Sequence, residues 1–523
     1  MAHGGTSGWA MLPTECLRRV LSLVVDSGAH TLGAVACVCV SWRAAAEDLT
    51  LWRRAFEAER APRGGVRSAL FSTSAGGHAD STRMPAQLAS VKLCRDAARE
   101  RHQALPRIAA VQPVRLRSLL DHASAPRRQL CHSLCVHGDV AVACVGDGMS
   151  WATQLVARLS SETPASGATA ENLHDGNLMV TWAGHDAPIV CSKGSQVGFS
   201  DVEAALRLCD RTVAHPPLVR SFASLSGAAI NSLASSVDAA GRCTAAALAR
   251  DGAVGFWRVW REEADTQSPP FCSEPLAQLS VAGPGPGNLF SGPTCMQLST
   301  DGTVLATLGS WMAGSFVGVI RASTLDATWS PSPLSIASEP LLLLQGTSLS
   351  FQAAGPADAV MTGGALEDCL VLGCNVGVCV LPGALARGAS SAVSGVLLHR
   401  SSAVHCHQQG VANSPSIIAC GDSSGAAMMV DARAPRGTGV SWLRRPNDSG
   451  GATRSLHAYG HFIATGHNDG RARIFDIRMA DNVRCLLGAV EAPRPAAVTA
   501  VHLDERWLLV MTLSSLTQHD WHA

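Results

Sequence analysis

The 523-residue sequence is poor in charged side chains and contains very little lysine. Charged residues make up 16% of the chain and hydrophobic residues 47%, which favours a packed globular protein over a disordered one. The 41 basic and 41 acidic side chains balance, so we expect neither nucleic acid nor a membrane as a partner. Lys92 and Lys193 are the only lysines. The chain is also rich in Ala, Gly and Arg, which indicates that a GC-rich coding bias explains the scarcity of lysine.

The sequence also lacks the features of secreted and membrane proteins. No stretch approaches the roughly 18 uninterrupted apolar residues of a membrane helix. The opening residues MAHGGTSGWAMLP lack a basic segment followed by an apolar one, so we expect no secretory signal. Eighteen scattered cysteines are typical of reduced, buried thiols in a chain of this length. These absences predict a cytoplasmic and/or nuclear protein.

Metal-binding and catalytic motifs are missing as well. The closest approaches to ligand clusters are Cys131 with Cys135, Cys369 with Cys374, and the triplet His405-Cys406-His407. None is joined by a second pair at zinc spacing, so we expect structural thiols and imidazoles with no metal and no cofactor. The motifs of α/β-hydrolases, P-loop enzymes, zinc proteases and kinases are absent too. The sequence therefore predicts no catalytic residues and a protein that is not an enzyme.

A short helical pattern near the start of the chain is the most informative feature that is present. Pro13 suits a first helical position, and Glu15 lies in the first turn, where the helix dipole favours an anion. The apolar residues that follow share one helical face; they are Leu17, Val20, Leu21 and Val24. A unit this small has too little core to stand alone. It indicates a docking module completed by a partner, and the alternative is a helical bundle that packs on its own neighbours.

Three motifs follow one another in this segment, and their order carries a family resemblance. They are Leu12-Pro13-x-Glu15-x-Leu17, Cys39-Val40-Ser41-Trp42-Arg43 and Leu51-Trp52-Arg53. The series resembles the F-box, by which substrate receptors attach to Skp–cullin–RING ubiquitin ligases, although Val40 and Ser41 replace two usual basic residues. The resemblance implies that one set of residues forms or supports an adaptor-binding face. These residues are Leu12, Pro13, Leu17, Val20, Leu21, Val38 and Trp42.

The residue pattern divides the rest of the chain into a linker and a β-rich region. We expect the F-box over residues 9–60 and a linker over 61–106. Within the linker, residues 87–103 contain many charged side chains and carry apolar residues along one side, which predicts a helix. The alternative is a poorly ordered connector. From residue 107 to 523 short apolar strands alternate with Gly and Asp-Gly turns, which is typical of antiparallel hairpins.

Strand pairs recur along the β-rich region as seven or eight similar units. They begin near residues 131, 172, 230, 294, 347, 403, 453 and 498, and spacings of this size are typical of propeller blades. The segment Gly466 to Asp476 resembles a WD repeat, with Phe475-Asp476 in place of Trp-Asp. Residues 107–117 would supply the outer strand of the last blade. The sequence therefore predicts a mainly β fold, a WD-repeat-like β-propeller of seven or eight blades preceded by a small all-α F-box and a helical linker. A kelch-type or other propeller and a β-sandwich array are the alternatives.

An F-box followed by WD-like blades resembles the substrate receptors of SCF-type ubiquitin ligases. The resemblance implies the Skp adaptor and a cullin as partners, together with a target protein that the propeller captures. Such receptors often read phosphorylated segments with arginines, whose planar fork suits phosphate. The candidate target-binding residues are Arg454, His405 and His467. The alternative function is a WD-repeat scaffold that assembles protein complexes and has no ubiquitin role.

Overall fold

The computed structural model describes residues 14–24, residue 51 and most positions between 115 and 521. The positions left out of that last range are 122–130, 147–150, 161–165, 172–177, 185–186, 203–205, 207–220, 239–241, 262–270, 282–294, 300–303, 312–313, 322–327, 330–331, 337–345, 352–369, 382–392, 410, 412–415, 435–437, 446–450, 478–485, 492–495, 505 and 513–514. The linker predicted at 61–106, its helix at 87–103 and residues 107–114 lie outside the described residues. The chain forms two compact units, one containing the described helix and the other all the strands. We call the second one the β unit.

Helix α1 spans Thr14–Val24 and has one apolar face. Leu17 and Leu21 are fully buried and Val20 is half-buried, whereas Cys16 and the neighbouring arginines are exposed. This spacing is that of an amphipathic helix, whose apolar residues lie along one side. The structure thus confirms the predicted one-sided helix. No helix among the described residues is long and apolar enough to cross a membrane.

The β unit contains thirty-three described strands, most of which join in groups of four consecutive antiparallel strands that we call repeats. Repeat 1 consists of β2 (Cys131–His137), β3 (Val140–Gly146), β4 (Trp151–Arg158) and β5 (Ser166–Glu171). Repeat 2 consists of β6 (Leu178–Trp182), β7 (Ile189–Lys193), β8 (Gln196–Ser200) and β9 (Ser221–Ser224). Repeat 3 consists of β10 (Ile230–Val237), β11 (Cys243–Ala249), β12 (Val254–Arg261) and β13 (Phe271–Val281). The short β17 (Thr328–Trp329) adds to repeat 3 in parallel with β13.

Repeats 4 and 5 are joined into one eight-stranded sheet. Repeat 4 consists of β14 (Cys295–Leu298), β15 (Val304–Trp311), β16 (Gly314–Arg321) and β18 (Ser332–Ile336). Repeat 5 consists of β19 (Gly346–Phe351), β20 (Leu370–Cys374), β21 (Gly377–Leu381) and β22 (Val393–Arg400). Strand β18 makes the junction, because it pairs antiparallel with β16 and parallel with β22.

Repeats 6 to 8 complete the β unit. Repeat 6 consists of β23 (Val404–Gln409), β24 (Ile417–Asp422), β25 (Ala427–Asp431) and β26 (Val440–Arg444). Repeat 7 consists of β27 (Thr453–Tyr459), β28 (Phe462–His467), β29 (Arg471–Asp476) and β30 (Leu486–Glu491). Repeat 8 consists of β31 (Val498–Leu503), β32 (Trp507–Thr512), β33 (Ser515–Asp520) and β1 (Arg115–Asp121).

The fourth strand of repeat 8 comes from the opposite end of the β unit. Strand β1 pairs antiparallel with β33, from Arg115 opposite Asp520 to Asp121 opposite Ser515. The sequence predicted such a strand at residues 107–117, and the described strand spans Arg115–Asp121. Of the predicted repeat starts, those at 131, 230, 453 and 498 coincide with the first residues of β2, β10, β27 and β31. The second repeat begins at Leu178 instead of near residue 172.

Successive repeats share hydrophobic clusters. One cluster runs through repeats 1, 2 and 3, and others join repeat 3 to 4, repeat 5 to 6 and repeat 6 to 7. A further cluster joins repeat 8 to repeat 1, where Leu516 and Leu509 pack with Ala143 and Leu134. In addition, Gln518 Nε2 donates to the carbonyl of Leu159 at 2.8 Å. The first and last repeats are therefore in direct contact.

Candidate functional site at one edge of repeats 6 and 7

The first strand of five repeats carries a β-bulge directly after its first residue. The pairing register shifts between Ile230 and Ser232 in β10, and it shifts at the equivalent point of β19, β23, β27 and β31. A bulged residue stands outside the ladder, which redirects its side chain. The extra residues are Asn231, Thr347, His405, Arg454 and Thr499. Two predicted target-binding residues, His405 and Arg454, thus occupy equivalent positions in neighbouring repeats.

Three hairpins end in the same turn, which closes on a glycine with positive φ. The glycines are Gly252, Gly425 and Gly470, with φ of 87°, 84° and 81°. An L side chain is strained in this region, whereas glycine is not. In each turn an aspartate Oδ1 accepts the backbone N–H two residues later, at 3.0 to 3.1 Å. These aspartates are Asp251, Asp422 and Asp469. The Asp-Gly and related turns seen in the sequence are thereby explained.

Each of these turns forms a backbone hydrogen bond with the residue that precedes the first strand of its own repeat. The N–H of Ser423 donates to the carbonyl of Ala403 at 2.8 Å, and the N–H of Asn468 donates to the carbonyl of Ala452 at 3.0 Å. Arg250 makes the same bond to Ala229 at 2.8 Å. The bulges and the turns therefore lie at one edge of the repeats, because these bonds hold them together.

Repeats 6 and 7 bring four polar side chains together at this edge. We call His405, Asp422, Arg454 and Asn468 the polar edge. Arg454 Nε donates to Asn468 Oδ1 at 2.8 Å. Burial lowers the pKa of His405, the positive charge of Arg454 lowers it further, and the negative charge of Asp422 opposes both. His405 and Arg454 are each half-buried, so they combine a fixed position with access to solvent.

Asp422 is a buried residue of the polar edge that holds the neighbouring turn in place. Its side chain is 1% exposed, and its Oδ1 accepts hydrogen bonds from Ser424 N at 3.0 Å, Ser424 Oγ at 2.7 Å and Ala426 N at 2.9 Å. A carboxylate that accepts several N–H and O–H donors holds a turn rigidly. Asp422 therefore fixes the turn beside His405.

His467 lies beneath the polar edge, where it is completely buried. Its Nδ1 is 3.0 Å from Arg444 Nη1 and 3.3 Å from Thr453 Oγ1, and its Nε2 is 2.8 Å from Thr465 Oγ1. Because a guanidinium can only donate, Nδ1 is the acceptor and Nε2 carries the proton. Burial, with Arg473 and Arg444 next in effect, lowers the pKa of His467 to about 3. The ring is therefore neutral, and it supports the edge from inside.

This position corrects the sequence expectation for His467 as a surface residue that faces a target. The sequence predicted a turn at Asn468-Asp469-Gly470 directly after His467, and His467 is the buried last residue of β28. Asn468 and Asp469 are the exposed members of that turn. Asp469 is itself held by a fork to Arg473, with distances of 3.1 Å and 2.5 Å.

The predicted adaptor-binding residues can be placed only in part. Leu17 and Leu21 of helix α1 are fully buried. Val20 is half-buried on the same helix. The other four residues of the predicted face lie outside the described residues: Leu12, Pro13, Val38 and Trp42. Leu51, from the third motif, is described and is 7% exposed.

Sequence reasoning missed the bulge positions of the other repeats and the role of Asp422. Asn231 and Thr499 match His405 and Arg454 in register, yet their side-chain types differ. Only the position of each residue after the first residue of its strand links them, and that position is known from the strand pairing. Among the described residues no group of three or more His, Cys, Asp or Glu could hold a metal ion.

Comparison with known proteins identifies the two parts of the chain separately. Residues 9–58 match a family model described as F-box-like. The chain matches none of the curated proteins. Sqt1 from Chaetomium thermophilum is structurally similar with a TM-score of 0.51 and 14% identity, covering 77% of this chain and 97% of that one. Sqt1 from Saccharomyces cerevisiae gives a TM-score of 0.50 and 14% identity over the same shares. The chain therefore carries an F-box-like domain at residues 9–58 and a β-rich fold similar to that of WD-repeat proteins.

Proposed function

We propose that this protein is a substrate-recognition adaptor of an SCF-type ubiquitin ligase. Residues 9–58 would bind the Skp adaptor, which connects to the cullin, and the β unit would bind a target protein. The observation that carries the proposal is the match of residues 9–58 to the F-box-like family. Catalysis then belongs to the recruited ubiquitin-conjugating enzyme, and this chain, which is not an enzyme, supplies proximity and orientation. The proposal places the protein in the cytoplasm, the nucleus or both.

We further propose that the eight repeats are blades of a closed WD-repeat-like propeller. Support comes from the shared hydrophobic clusters and from the contact between repeats 8 and 1. The pairing of β1 with β33 adds to it, since one blade is then completed by strands from both ends of the β unit. Radial closure leaves only short, protected strand edges, and it would present the bulged residues of successive blades on one face.

The polar edge is our candidate contact for the target. Arg454 is half-exposed, and its fork geometry suits a carboxylate or a phosphorylated side chain. His405 lies at the matching position of the preceding repeat. Two polar residues held by equivalent bulges on neighbouring repeats would contact successive parts of an extended peptide.

Association with the Skp adaptor tests the F-box half of the proposal. The full chain carrying Leu12→Ala and Pro13→Ala should lose at least tenfold in Skp and cullin co-purification while its urea unfolding midpoint is unchanged. Val396→Ala is the matched control, because Val396 is an apolar residue of the β unit that is 48% exposed. Undiminished association of the folded double variant would refute the proposal and favour the scaffold function without a ubiquitin role.

Capture of targets tests the polar edge. Proteins that co-purify with the chain under proteasome inhibition should include some that are lost on Arg454→Ala or His405→Ala while Skp binding is retained. Arg433→Ala is the control, since Arg433 is an exposed arginine of repeat 6 paired with Asp431. The register places Asp431 opposite Ile417, at the far end of β24 from Asp422. An unchanged set of captured proteins would exclude the polar edge as the target contact.

A further inference from the structure

Two cysteine thiols meet at the base of one hairpin in repeat 5. Cys374 is the last residue of β20, and Cys379 is the third residue of β21. Their sulfur atoms are 3.6 Å apart, which is contact distance. The hairpin between them is closed by the two-residue turn Asn375–Val376, because Cys374 pairs with Gly377. Both thiols are fully buried, whereas the turn is half-exposed. The pair therefore lies directly beside solvent-accessible backbone.

The surroundings of Cys374 lower its pKa below that of an ordinary thiol, although its thiol also donates to the carbonyl of Gly377 at 3.2 Å. A hydrogen bond from the Cys379 thiol lowers the pKa of Cys374, burial opposes this, and the backbone N–H groups of Val376 and Gly377 lower it further. The net direction is downward. A thiolate is the form of cysteine that attacks oxidants and disulfides.

Other described cysteines behave in the opposite way. Burial raises the pKa of Cys243 and Cys406 to about 12, and it raises the pKa of Cys295 and Cys420 still further. Such thiols stay protonated and inert. Each of the ten cysteines whose side chains the structure describes is a thiol. The Cys374–Cys379 pair differs from the four above by the contact of its two sulfur atoms and by the lowered pKa of Cys374.

We propose that Cys374 and Cys379 form a reversible dithiol–disulfide site that reacts with a peroxide. The Cys374 thiolate attacks one peroxide oxygen, the O–O bond breaks, and hydroxide leaves, so that Cys374 becomes a sulfenic acid. The Cys379 sulfur then attacks the Cys374 sulfur, the S–O bond breaks, and the departing hydroxide takes the thiol proton. Two thiols and one hydrogen peroxide thus give one disulfide and two waters, with two electrons passing to the peroxide.

The turn Asn375–Val376 adjoins the two sulfur atoms that must move. A disulfide requires its sulfurs to be about 2.0 Å apart, so the two atoms must approach each other from their present 3.6 Å. The carbonyl of Val376 accepts the N–H of Ser401 at 3.1 Å, and Gly377 lies against the backbone of His399. Oxidation would therefore also displace the segment that leads into β23. This inference does not depend on a role in ubiquitin transfer.

Mass spectrometry of the full chain after hydrogen peroxide treatment tests the site. Residues 322–387 form one tryptic peptide that contains Cys369, Cys374 and Cys379. We expect this peptide to lose the mass of two hydrogens, with fragmentation locating the bond between Cys374 and Cys379, and dithiothreitol to restore it. In Cys379→Ser the reaction should stop at a sulfenic acid on Cys374 that dimedone captures. Cys420→Ser is the matched control, a buried strand cysteine whose loss should leave the oxidation unchanged.

Three results would overturn the proposal. In the first, both thiols remain alkylatable after peroxide treatment and subsequent denaturation. In the second, the disulfide joins Cys374 to Cys369. In the third, the bond forms only in chain already unfolded by urea. Each result is read from the unsubstituted protein, so the test stands even where a serine variant fails to fold.

Discussion

At the residue scale, the best-defined polar group of the β unit is the neutral ring of His467. Thr465→Val should destabilise the protein by about 1–3 kcal/mol, because it leaves the buried Nε2–H of His467 without its acceptor. Urea unfolding measures the change. Thr465→Ser keeps the hydroxyl and loses only a methyl group, so it should recover most of the stability. If Thr465→Val unfolds at the same urea concentration as the unsubstituted protein, the hydrogen bond to His467 does not stabilise the fold.

Three buried histidines predict that the stability of the β unit falls in mild acid. Burial lowers the pKa of His407 and His519 to about 4, and that of His467 to about 3. Each folded-state pKa lies below the ordinary value of 6.5, so below pH 6.5 the unfolded chain binds more protons than the folded one. The stabilisation is complete above about pH 6.5 and is lost progressively as the pH falls. At pH 5 each ring should contribute a loss of about 2 kcal/mol.

Urea unfolding from pH 7.5 to pH 5 checks this expectation. The midpoint should fall steadily below pH 6.5, and His407→Gln should flatten the fall by about one third. His405→Gln is the comparison. Because His405 is only half-buried at the polar edge, this variant should flatten the fall less than His407→Gln does. A midpoint that stays constant down to pH 5 would contradict the neutral state of these rings.

At the element scale, the hairpins could be predicted from the sequence and the bulges could not. Gly252 and Gly470 follow aspartates, and this pairing signals a turn that needs a positive φ. A bulge leaves no such signature, because it depends on how the first strand of each repeat pairs with the second. The alternation of Ser-Leu-His at 455–457 reads the same with or without an extra residue before it. For the same reason the sequence could name His405 and Arg454 but could not show that they are equivalent, or that His467 is buried.

Two glycines in the second strands of repeats 6 and 7 set the spacing between neighbouring repeats. A methyl group on Gly421 would collide with Thr453 of the next repeat, and one on Gly466 would collide with Val498 of the repeat after that. Neither Thr453 nor Val498 can withdraw easily, because both are the fully buried first residues of their strands. Gly421→Ala and Gly466→Ala should each destabilise the protein by about 1–3 kcal/mol.

Gly227→Ala provides the control for these glycine substitutions. Nothing lies within 4 Å of a methyl group at Gly227, so its stability should stay within about 0.5 kcal/mol of the unsubstituted protein. Thermal or urea unfolding of the three variants gives the comparison. If Gly421→Ala unfolds like Gly227→Ala, the repeats are separated more widely than the contacts of Gly421 indicate.

At the scale of the whole molecule, the last repeat of the β unit contains strands that are far apart in the chain. Strand β1 pairs with β33, and Leu119 of β1 packs in the cluster that repeats 8 and 1 share. A pairing between such distant strands leaves a weak sequence signal, since it is seen only as a strand missing at one end and an additional strand at the other. The F-box motifs can be recognised in the sequence for the opposite reason, because all of their residues lie within one short segment.

Leu119→Ala tests whether the packing of β1 stabilises both repeats. Leu119 is 8% exposed, and truncation of a buried leucine costs about 2–5 kcal/mol. Because the cluster contains residues of repeats 1 and 8, hydrogen exchange should accelerate in β2 and β3 as well as in β32 and β33. Val396→Ala, which shortens an exposed side chain of repeat 5, should leave exchange in all four strands unchanged. Faster exchange confined to β1 would mean that the strand is a peripheral addition, and the two repeats would then hold together without it.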